Sequence, residues 1–207
     1  MADDLPLTPW LKEHIWPAET QWVNEAFVRD GTALAIGEMI KAGTTCFNDM
    51  YFFPDQVGQA AIESGIRAVL GLIIIDVATA WARDAHEYFV KGERVHDEFR
   101  NHPLISTCFA PHAPYTVGDQ ALARIATLAE EMDIPITIHL HETAQEIDES
   151  FAKTGERPIQ RLKRLGLLTP RLLAVHMTQL QDREFDELVR YGAHVVHCPE
   201  SNMKLAS

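Results

Sequence analysis

The sequence predicts an α/β fold built on a parallel sheet, and within that class a TIM-type (β/α)8 barrel. Three observations support this prediction. Short apolar runs alternate with longer amphipathic stretches, the runs are rich in β-branched residues, and polar side chains recur where the runs end. Strands buried on both faces of a parallel sheet have this continuous apolar character. Repeated alternation of strand and helix patterns is typical of parallel α/β folds.

Six apolar runs are predicted to be strands. They are Thr44–Asn48, Arg67–Ile75, Leu104–Ala110, Ile134–Leu140, Leu172–His176 and Ala193–Cys198. The intervening amphipathic stretches are predicted to be helices. They are Trp22–Ala42, Pro54–Ser64, Trp81–Phe99, Asp119–Met132, Pro158–Leu165 and Asp182–Tyr191. Several of these helices are followed by glycine, which commonly ends a helix because it adopts the left-handed conformation without steric cost.

Two arrangements of these units compete, an open doubly wound sheet and a closed barrel. Candidate functional side chains lie at or just beyond the predicted strand ends: Asn48, Asp49, Asp76, His112, His139, His141, Glu142, His176 and His197. A barrel brings all carboxyl ends to one face, whereas an open sheet gathers only those near its switch point. The barrel is therefore favoured, although the chain has 207 residues and this fold typically has about 250.

The composition excludes several classes of partner. A net charge of −12 argues against nucleic acid, because binding to phosphates requires a basic surface. The longest apolar run, Ala68 to Ile75, is too short to span a bilayer, so no membrane association is expected. The three cysteines are widely spaced, which fits a reducing cytoplasm. Residues 1–207 are expected to form a single domain.

The histidines at successive strand ends, together with a carboxylate, indicate a site for one divalent transition metal. Zinc is the first choice, with Fe2+ or another divalent metal as alternatives. A metal of this kind makes water nucleophilic near neutral pH. Two familiar zinc motifs are absent. Gln145 replaces the second histidine of H-E-x-x-H, and Cys198 precedes Pro199 where the zinc base deaminases have the order P-C-x-x-C.

Five segments carry a resemblance to a known family. They are Trp10–Glu19 (WLKEHIWPAE), Pro111–Thr116 (PHAPYT), Ile138–Thr143 (IHLHET), Leu172–Met177 (LLAVHM) and Val195–Ser207 (VVHCPESNMKLAS). Together, and in this order, they resemble the amidohydrolase superfamily, specifically its cytosine-deaminase-like branch that includes the chlorohydrolases. The resemblance implies a zinc-dependent hydrolytic deaminase acting on a small adenosine-type substrate. Other members act on guanine, triazines or N-formimino compounds, and a non-catalytic barrel remnant is a further alternative.

The resemblance also implies roles for individual residues. His139 matches the metal ligand of the family's fifth strand, and Glu142 matches the glutamate that transfers a proton to the substrate ring. His176 would orient and polarise the attacking water. His112 would contact the substrate, and Glu19 would bind its ribose hydroxyls, since a carboxylate accepts two hydrogen bonds from a diol.

Three further positions are less sharply defined. Asn202 and Lys204 match the family's S-N-x-K-L segment, with a loop-positioning role as the alternative to a functional one. His141 would face the same way as His139 if the strand stayed extended. It is therefore either a contact in the site or a neighbour of it.

The family's first strand, with its H-x-H metal pair, and its eighth strand, with its aspartate, have no counterpart in the sequence. We therefore expect a single partial barrel domain over residues 1–207, corresponding to strands two to seven. Catalytic zinc normally has three protein ligands, so the 207-residue polypeptide by itself is expected to be inactive and to bind metal weakly. Family members are often oligomeric, and the resemblance therefore allows a homo-oligomer.

Overall fold

The computed structural model describes residues 5–207 of the chain. These residues are organised as two compact units, one formed by Ala18–Ala110 and the other by Pro111–Ser207 with the chain before Ala18. The strands of the described part are β1 Cys46–Asp49, β2 Arg67–Ile74, β3 Ile105–Pro111, β4 Ile136–Leu140, β5 Leu172–His176 and β6 His194–Val196. Their order in the sheet follows the chain, and β1–β2, β4–β5 and β5–β6 pair in parallel.

Helices precede and connect these strands. The described chain begins with α1 Leu7–Trp10, a π-helical turn Leu11–Ile15 and α2 Trp16–Trp22. The helices that follow are α3 Glu25–Lys41, α4 Pro54–Ser64, α5 Ala85–Phe99, α6 Asp119–Glu131, α7 Ala144–Thr154, α8 Pro158–Arg164, α9 Asp182–Tyr191 and α10 Pro199–Lys204. No helix within residues 5–207 is long and apolar enough to cross a membrane.

The predicted alternation of strands and helices is confirmed, but several boundaries are corrected. Helix α5 begins at Ala85 rather than Trp81, because the Asp84 side chain caps it by accepting the Glu87 N–H at 2.9 Å. The strand predicted over Ile134–Leu140 begins at Ile136, and Pro135 has no N–H for the ladder.

The remaining predicted bounds change less. Pro54–Ser64, Leu172–His176 and Asp182–Tyr191 are confirmed, and the other predicted elements begin or end one to three residues away from their predicted positions. The sequence prediction missed α1, α2, α7 and α10. Helix α7 directly follows the residues predicted to form the metal site, and the Thr143 side chain caps its start by accepting the Glu146 N–H.

The core of the unit Ala18–Ala110 lies between β2 and the helices α4 and α5. Leu70, Leu72 and Ile74 on β2 are almost completely buried. Glycines allow the helices to approach the strand closely. A Cβ atom on Gly58 would come within 2.9 Å of the Leu70 side chain, and one on Gly92 within 3.3 Å of Leu72.

Replacing Gly71 on β2 by alanine is expected to lower the free energy of unfolding by about 1–3 kcal/mol. A Cβ atom there would clash with the backbone carbonyl of Asp49 and lie 2.9 Å from the Ala110 Cβ. Gly31, in the exposed middle of α3, has nothing within 4 Å of its Cβ position. Gly31→Ala should therefore stabilise the protein by up to about 1 kcal/mol through helix propensity. Urea unfolding of both variants measures the two changes in the free energy of unfolding. Equal changes for Gly71→Ala and Gly31→Ala would show that the close approach at Gly71 is not what destabilises the protein.

In the other unit, β4 and β5 form the buried centre. Ile136, Ile138 and Leu140 of β4 are almost fully buried, and so are apolar residues of α6 and α8, among them Leu122, Ile125, Ile159 and Leu162. Strand β4 pairs in parallel with β5, and the polar residues of the candidate site begin at the carboxyl ends of these two strands.

Candidate active site

Three histidines come together at the carboxyl ends of consecutive strands in the unit that contains β4 and β5. The His112 and His139 rings lie 5.5 Å apart between centroids, and the His139 and His176 rings 5.2 Å apart. His139 Nδ1 is 3.2 Å from His176 Nε2. The backbone N–H of His139 also donates to the carbonyl of His112 at 3.2 Å. Three of the strand-end positions identified in the sequence, His112, His139 and His176, are therefore neighbours in space.

Burial keeps these imidazoles neutral. Desolvation, reinforced by the nearby His112 and His176, lowers the pKa of His139 to about 3, and desolvation lowers the pKa of His112 to about 4. A neutral imidazole has a free nitrogen lone pair, which is the form that binds a metal. The Thr116 hydroxyl lies 2.8 Å from His112 Nδ1 and 3.2 Å from the Ala113 carbonyl, so Nδ1 is hydrogen-bonded within the unit.

Glu142 faces His176 from a buried position. Its side-chain Oε1 is 3.5 Å from His176 Nε2, and the residue is only 7% exposed. Burial raises the pKa of Glu142 to about 7. The carboxyl can therefore hold a proton near neutral pH, where an ordinary glutamate is ionised. A carboxyl with this property can give and take protons during a reaction.

The Asn202 side chain is hydrogen-bonded to the His176 ring nitrogen that faces away from Glu142. Its side-chain amide lies 3.0 Å from His176 Nδ1, and the residue is 5% exposed. This contact leaves Nε2 as the nitrogen that faces His139 and Glu142. The S-N-x-K-L resemblance left a functional or a loop-positioning role open for Asn202, and the structure places its side chain against His176. Lys204 is exposed, as is His197.

His141 is placed differently from His139. Strand β4 ends at Leu140, and His141 has a left-handed backbone with φ of 53°, so the extended geometry considered for the sequence does not hold. The ring is completely buried. Nδ1 donates to the Gln179 carbonyl at 3.2 Å, and Nε2 accepts the Ile159 N–H at 3.1 Å. Both ring nitrogens of His141 are thus bonded to backbone groups of the same unit.

Sequence reasoning missed one residue of this region, Glu146. Its carboxylate accepts the backbone N–H groups of His141 at 3.2 Å and Glu142 at 2.8 Å. Its own N–H donates to the Thr143 hydroxyl at 3.2 Å. The signal that could have found it is the T-x-x-E pattern from Thr143 to Glu146, which marks a helix start with a carboxylate turned back toward preceding amides.

Glu19 lies in the unit Ala18–Ala110, on α2. Its Oε1 accepts a hydrogen bond from the Tyr51 hydroxyl at 2.8 Å, and desolvation raises its pKa. Asp49, at the end of β1, is also desolvated, which raises its pKa to about 6. Asp76 is exposed. Glu19 is thus a half-buried, hydrogen-bonded carboxylate rather than a freely solvated residue at a helix end.

The nitrogen and oxygen donors near His139 are of the types that zinc accepts. His139 offers a neutral nitrogen, with His176 and Glu142 beside it. Across the part of the chain that the structure describes, no group of three or more histidine, cysteine, aspartate or glutamate residues has the geometry to hold a metal ion. The neutral nitrogen of His139 is a donor of the kind that zinc accepts, and one histidine is only part of a zinc ligand set.

A parallel α/β sheet with histidines and a carboxylate at the strand ends is the architecture of the barrel-type metal-dependent hydrolases. Within that class, the chain belongs to the amidohydrolase family, whose model matches residues 1–207. The family resemblance read from the sequence is confirmed.

Individual proteins show the same relationship. The chain is 55% identical over 207 residues to 5-methylthioadenosine/S-adenosylhomocysteine deaminase from Saccharophagus degradans, covering 100% of this chain and 46% of that protein. A zinc-bound crystal structure of an adenosine deaminase from Xanthomonas campestris is 53% identical, with a TM-score of 0.97, and the match covers 100% of this chain and 47% of the other. The chain spans about half the length of the curated relatives it matches.

A more distant structure supports the fold alone. Atrazine chlorohydrolase from Arthrobacter aurescens, in complex with zinc, is 15% identical, with a TM-score of 0.90 over 99% of this chain and 50% of the other. The predicted TIM-type barrel fold, represented here by part of its strands, is confirmed.

Proposed function

We propose that this chain is part of a zinc-dependent deaminase that hydrolyses the adenine amino group of S-adenosylhomocysteine and 5'-methylthioadenosine. One observation carries the proposal: a buried, protonatable Glu142 faces His176, which in turn contacts His139. The substrate assignment is supported by the 55% identity to a protein named for these two compounds. In the overall reaction, water replaces the amino group on the ring carbon and ammonia leaves.

Each residue has a defined task in this proposal. His139 would provide one nitrogen ligand to zinc, which when bound would lower the pKa of its coordinated water to near neutral. Glu142 delivers a proton to the ring nitrogen beside the reacting carbon, and His176 orients the attacking water through Nε2. His112 contacts the substrate through Nε2.

The proposal extends to the chain's organisation and surroundings. Residues 1–207 are proposed to form a single partial barrel domain that holds one zinc ion per site, with Fe2+ as the alternative metal. The three free cysteines support a cytoplasmic location. The acidic net charge supports a small-molecule substrate without nucleic-acid or membrane partners. A homo-oligomer is allowed by analogy with family members.

An ammonia-release assay on the complete gene product tests the function. S-adenosylhomocysteine and 5'-methylthioadenosine should be deaminated with higher kcat/KM than guanine, a chlorotriazine or an N-formimino compound. Preference for guanine or the triazine would assign another branch of the family. Absence of turnover with every substrate in the zinc-loaded protein would favour a non-catalytic binding module. The isolated 207-residue polypeptide should release little ammonia, because family spacing selects His139 alone as a ligand.

In the unit Ala18–Ala110, Glu19 is proposed to accept hydrogen bonds from the ribose hydroxyls, and Tyr51→Phe tests this. Loss of the 2.8 Å hydrogen bond removes about 0.5–1.5 kcal/mol of orienting energy. KM for S-adenosylhomocysteine should then rise by up to about tenfold, with less change for a 2',3'-dideoxy analogue. Tyr88→Phe is the control, since its hydroxyl bonds Thr79 instead. Equal KM changes for the ribose and dideoxy substrates would contradict the assignment.

A further inference from the structure

We infer that Glu146 is a positioning residue for the proposed proton-transfer residue: its buried carboxylate holds the backbone on which Glu142 stands. The inference rests on the proposed function for the task of Glu142. The hydrogen bonds between Glu146 and the backbone can be measured independently of that task.

Each carboxylate oxygen of Glu146 accepts a hydrogen bond from a backbone N–H. Oε1 accepts the N–H of His141 at 3.2 Å, and Oε2 accepts the N–H of Glu142 at 2.8 Å. These are consecutive amides, and His141 has a left-handed backbone with φ of 53°. Successive N–H groups around a left-handed residue form a concave nest that binds an anion. Here the side-chain carboxyl of Glu146, which is 7% exposed, fills the nest.

The opposite side of the same backbone is held as well. The Thr178 hydroxyl donates to the carbonyl of Glu142 at 2.7 Å, and the Thr178 N–H donates to the carbonyl of His141 at 3.0 Å. The N–H and the C=O of Glu142 are therefore both fixed. The Glu142 side chain extends from this hydrogen-bonded backbone, and its Oε1 lies 3.5 Å from His176 Nε2.

The start of α7 connects Glu146 to this backbone. The Glu146 N–H donates to the Thr143 hydroxyl, so the helix begins with the carboxylate already directed toward residues 141 and 142. In an ordinary capping box the glutamate would bond the N-cap residue, which is Thr143 here. Glu146 reaches past that residue to the two amides before it. Its partners are therefore the proposed proton-transfer residue and the residue preceding it.

Glu146→Gln in the complete gene product tests the inference. The glutamine NH2 then faces one of the two backbone N–H groups, so one of the two hydrogen bonds is lost and the backbone of Glu142 can shift. Because a displacement of about 1 Å can cost about 100-fold in rate, kcat should fall by about 10- to 100-fold per zinc-loaded, folded molecule. KM should change by less than about twofold, since Glu146 does not touch the substrate in this proposal. Amide hydrogen exchange at His141 and Glu142 should accelerate.

Two further variants keep the test decisive. Glu149→Gln, on the exposed side of the same helix, removes one negative charge and should leave kcat and both exchange rates unchanged. If Glu146→Gln does not fold, Thr178→Val releases the carbonyl of Glu142 from the other side, and it should lower kcat with little change in KM.

Unchanged exchange at the two amides in Glu146→Gln would overturn the inference. So would a kcat per folded molecule equal to that of the wild type, because a purely structural role would reduce only the folded fraction. If the wild-type protein deaminates no substrate, the proposed function fails. The exchange rates then still decide whether Glu146 holds the backbone of Glu142.

Discussion

Replacing Glu142 with glutamine is expected to lower kcat for S-adenosylhomocysteine by about 10²- to 10⁴-fold, the usual contribution of a general acid–base residue. The substitution keeps the size of the side chain, but an amide cannot carry the transferred proton. The wild-type carboxyl is suited to this transfer because burial raises its pKa to about 7. Zinc content should not change, since Glu142 is not assigned as a ligand.

Steady-state kinetics and metal analysis of the complete gene product check this expectation. Asp148→Asn is the matched control, because it also replaces a carboxylate by an amide but is exposed on α7. Its kcat should stay within about twofold of the wild type. A Glu142→Gln variant that retained kcat within about threefold, with full zinc content, would show that another group transfers the proton.

Of the two histidines in the sequence His139-Leu140-His141, we expect His139 to bind zinc and His141 to stabilise the fold. His141→Ala leaves the buried Ile159 N–H without its ring acceptor, which costs about 1–3 kcal/mol, while the Gln179 carbonyl keeps the Arg157 guanidinium as a donor. It also leaves a cavity at a fully buried position. The free energy of unfolding should therefore fall by about 3–5 kcal/mol. His139→Ala should instead lower zinc affinity.

Zinc titration and urea unfolding of the metal-free complete gene product distinguish the two roles. His141→Ala should bind zinc with the wild-type stoichiometry at temperatures where it remains folded. His139→Ala should bind it at least about tenfold more weakly. His86→Ala, at an exposed position of α5, should change neither property. The assignment is wrong if His141→Ala loses zinc while His139→Ala retains it.

The regular part of the fold could be predicted because its determinants are local. Leu172–His176 was bounded correctly from five consecutive residues, and Pro54–Ser64 from a proline at its start and Gly65 at its end. Helix α7 was missed because its first turn contains polar residues that also suit a metal site. The first turn of α5 was misplaced, because Trp81 and Ala82 are apolar but precede the cap at Asp84.

The candidate site could be predicted in part. Spacing and family resemblance selected His139, Glu142 and His176, and the structure brings these three residues together. Their chemical roles remain proposals. Glu19 was selected by resemblance alone, and its hydrogen bond to Tyr51, 32 residues away, could not be read from either position.

The sequence by itself determined the α/β class and the strand-end positions of the histidines, because periodicity and strand direction depend on neighbouring residues. The tertiary structure decided how the surroundings of His139 and His141 differ. His141 turns away at a left-handed residue and binds backbone groups 18 and 38 positions along the chain. Glu146 likewise acquires its role only when helix α7 folds back on the two amides before it. Such contacts depend on the folded path of the chain, which spacing alone does not specify.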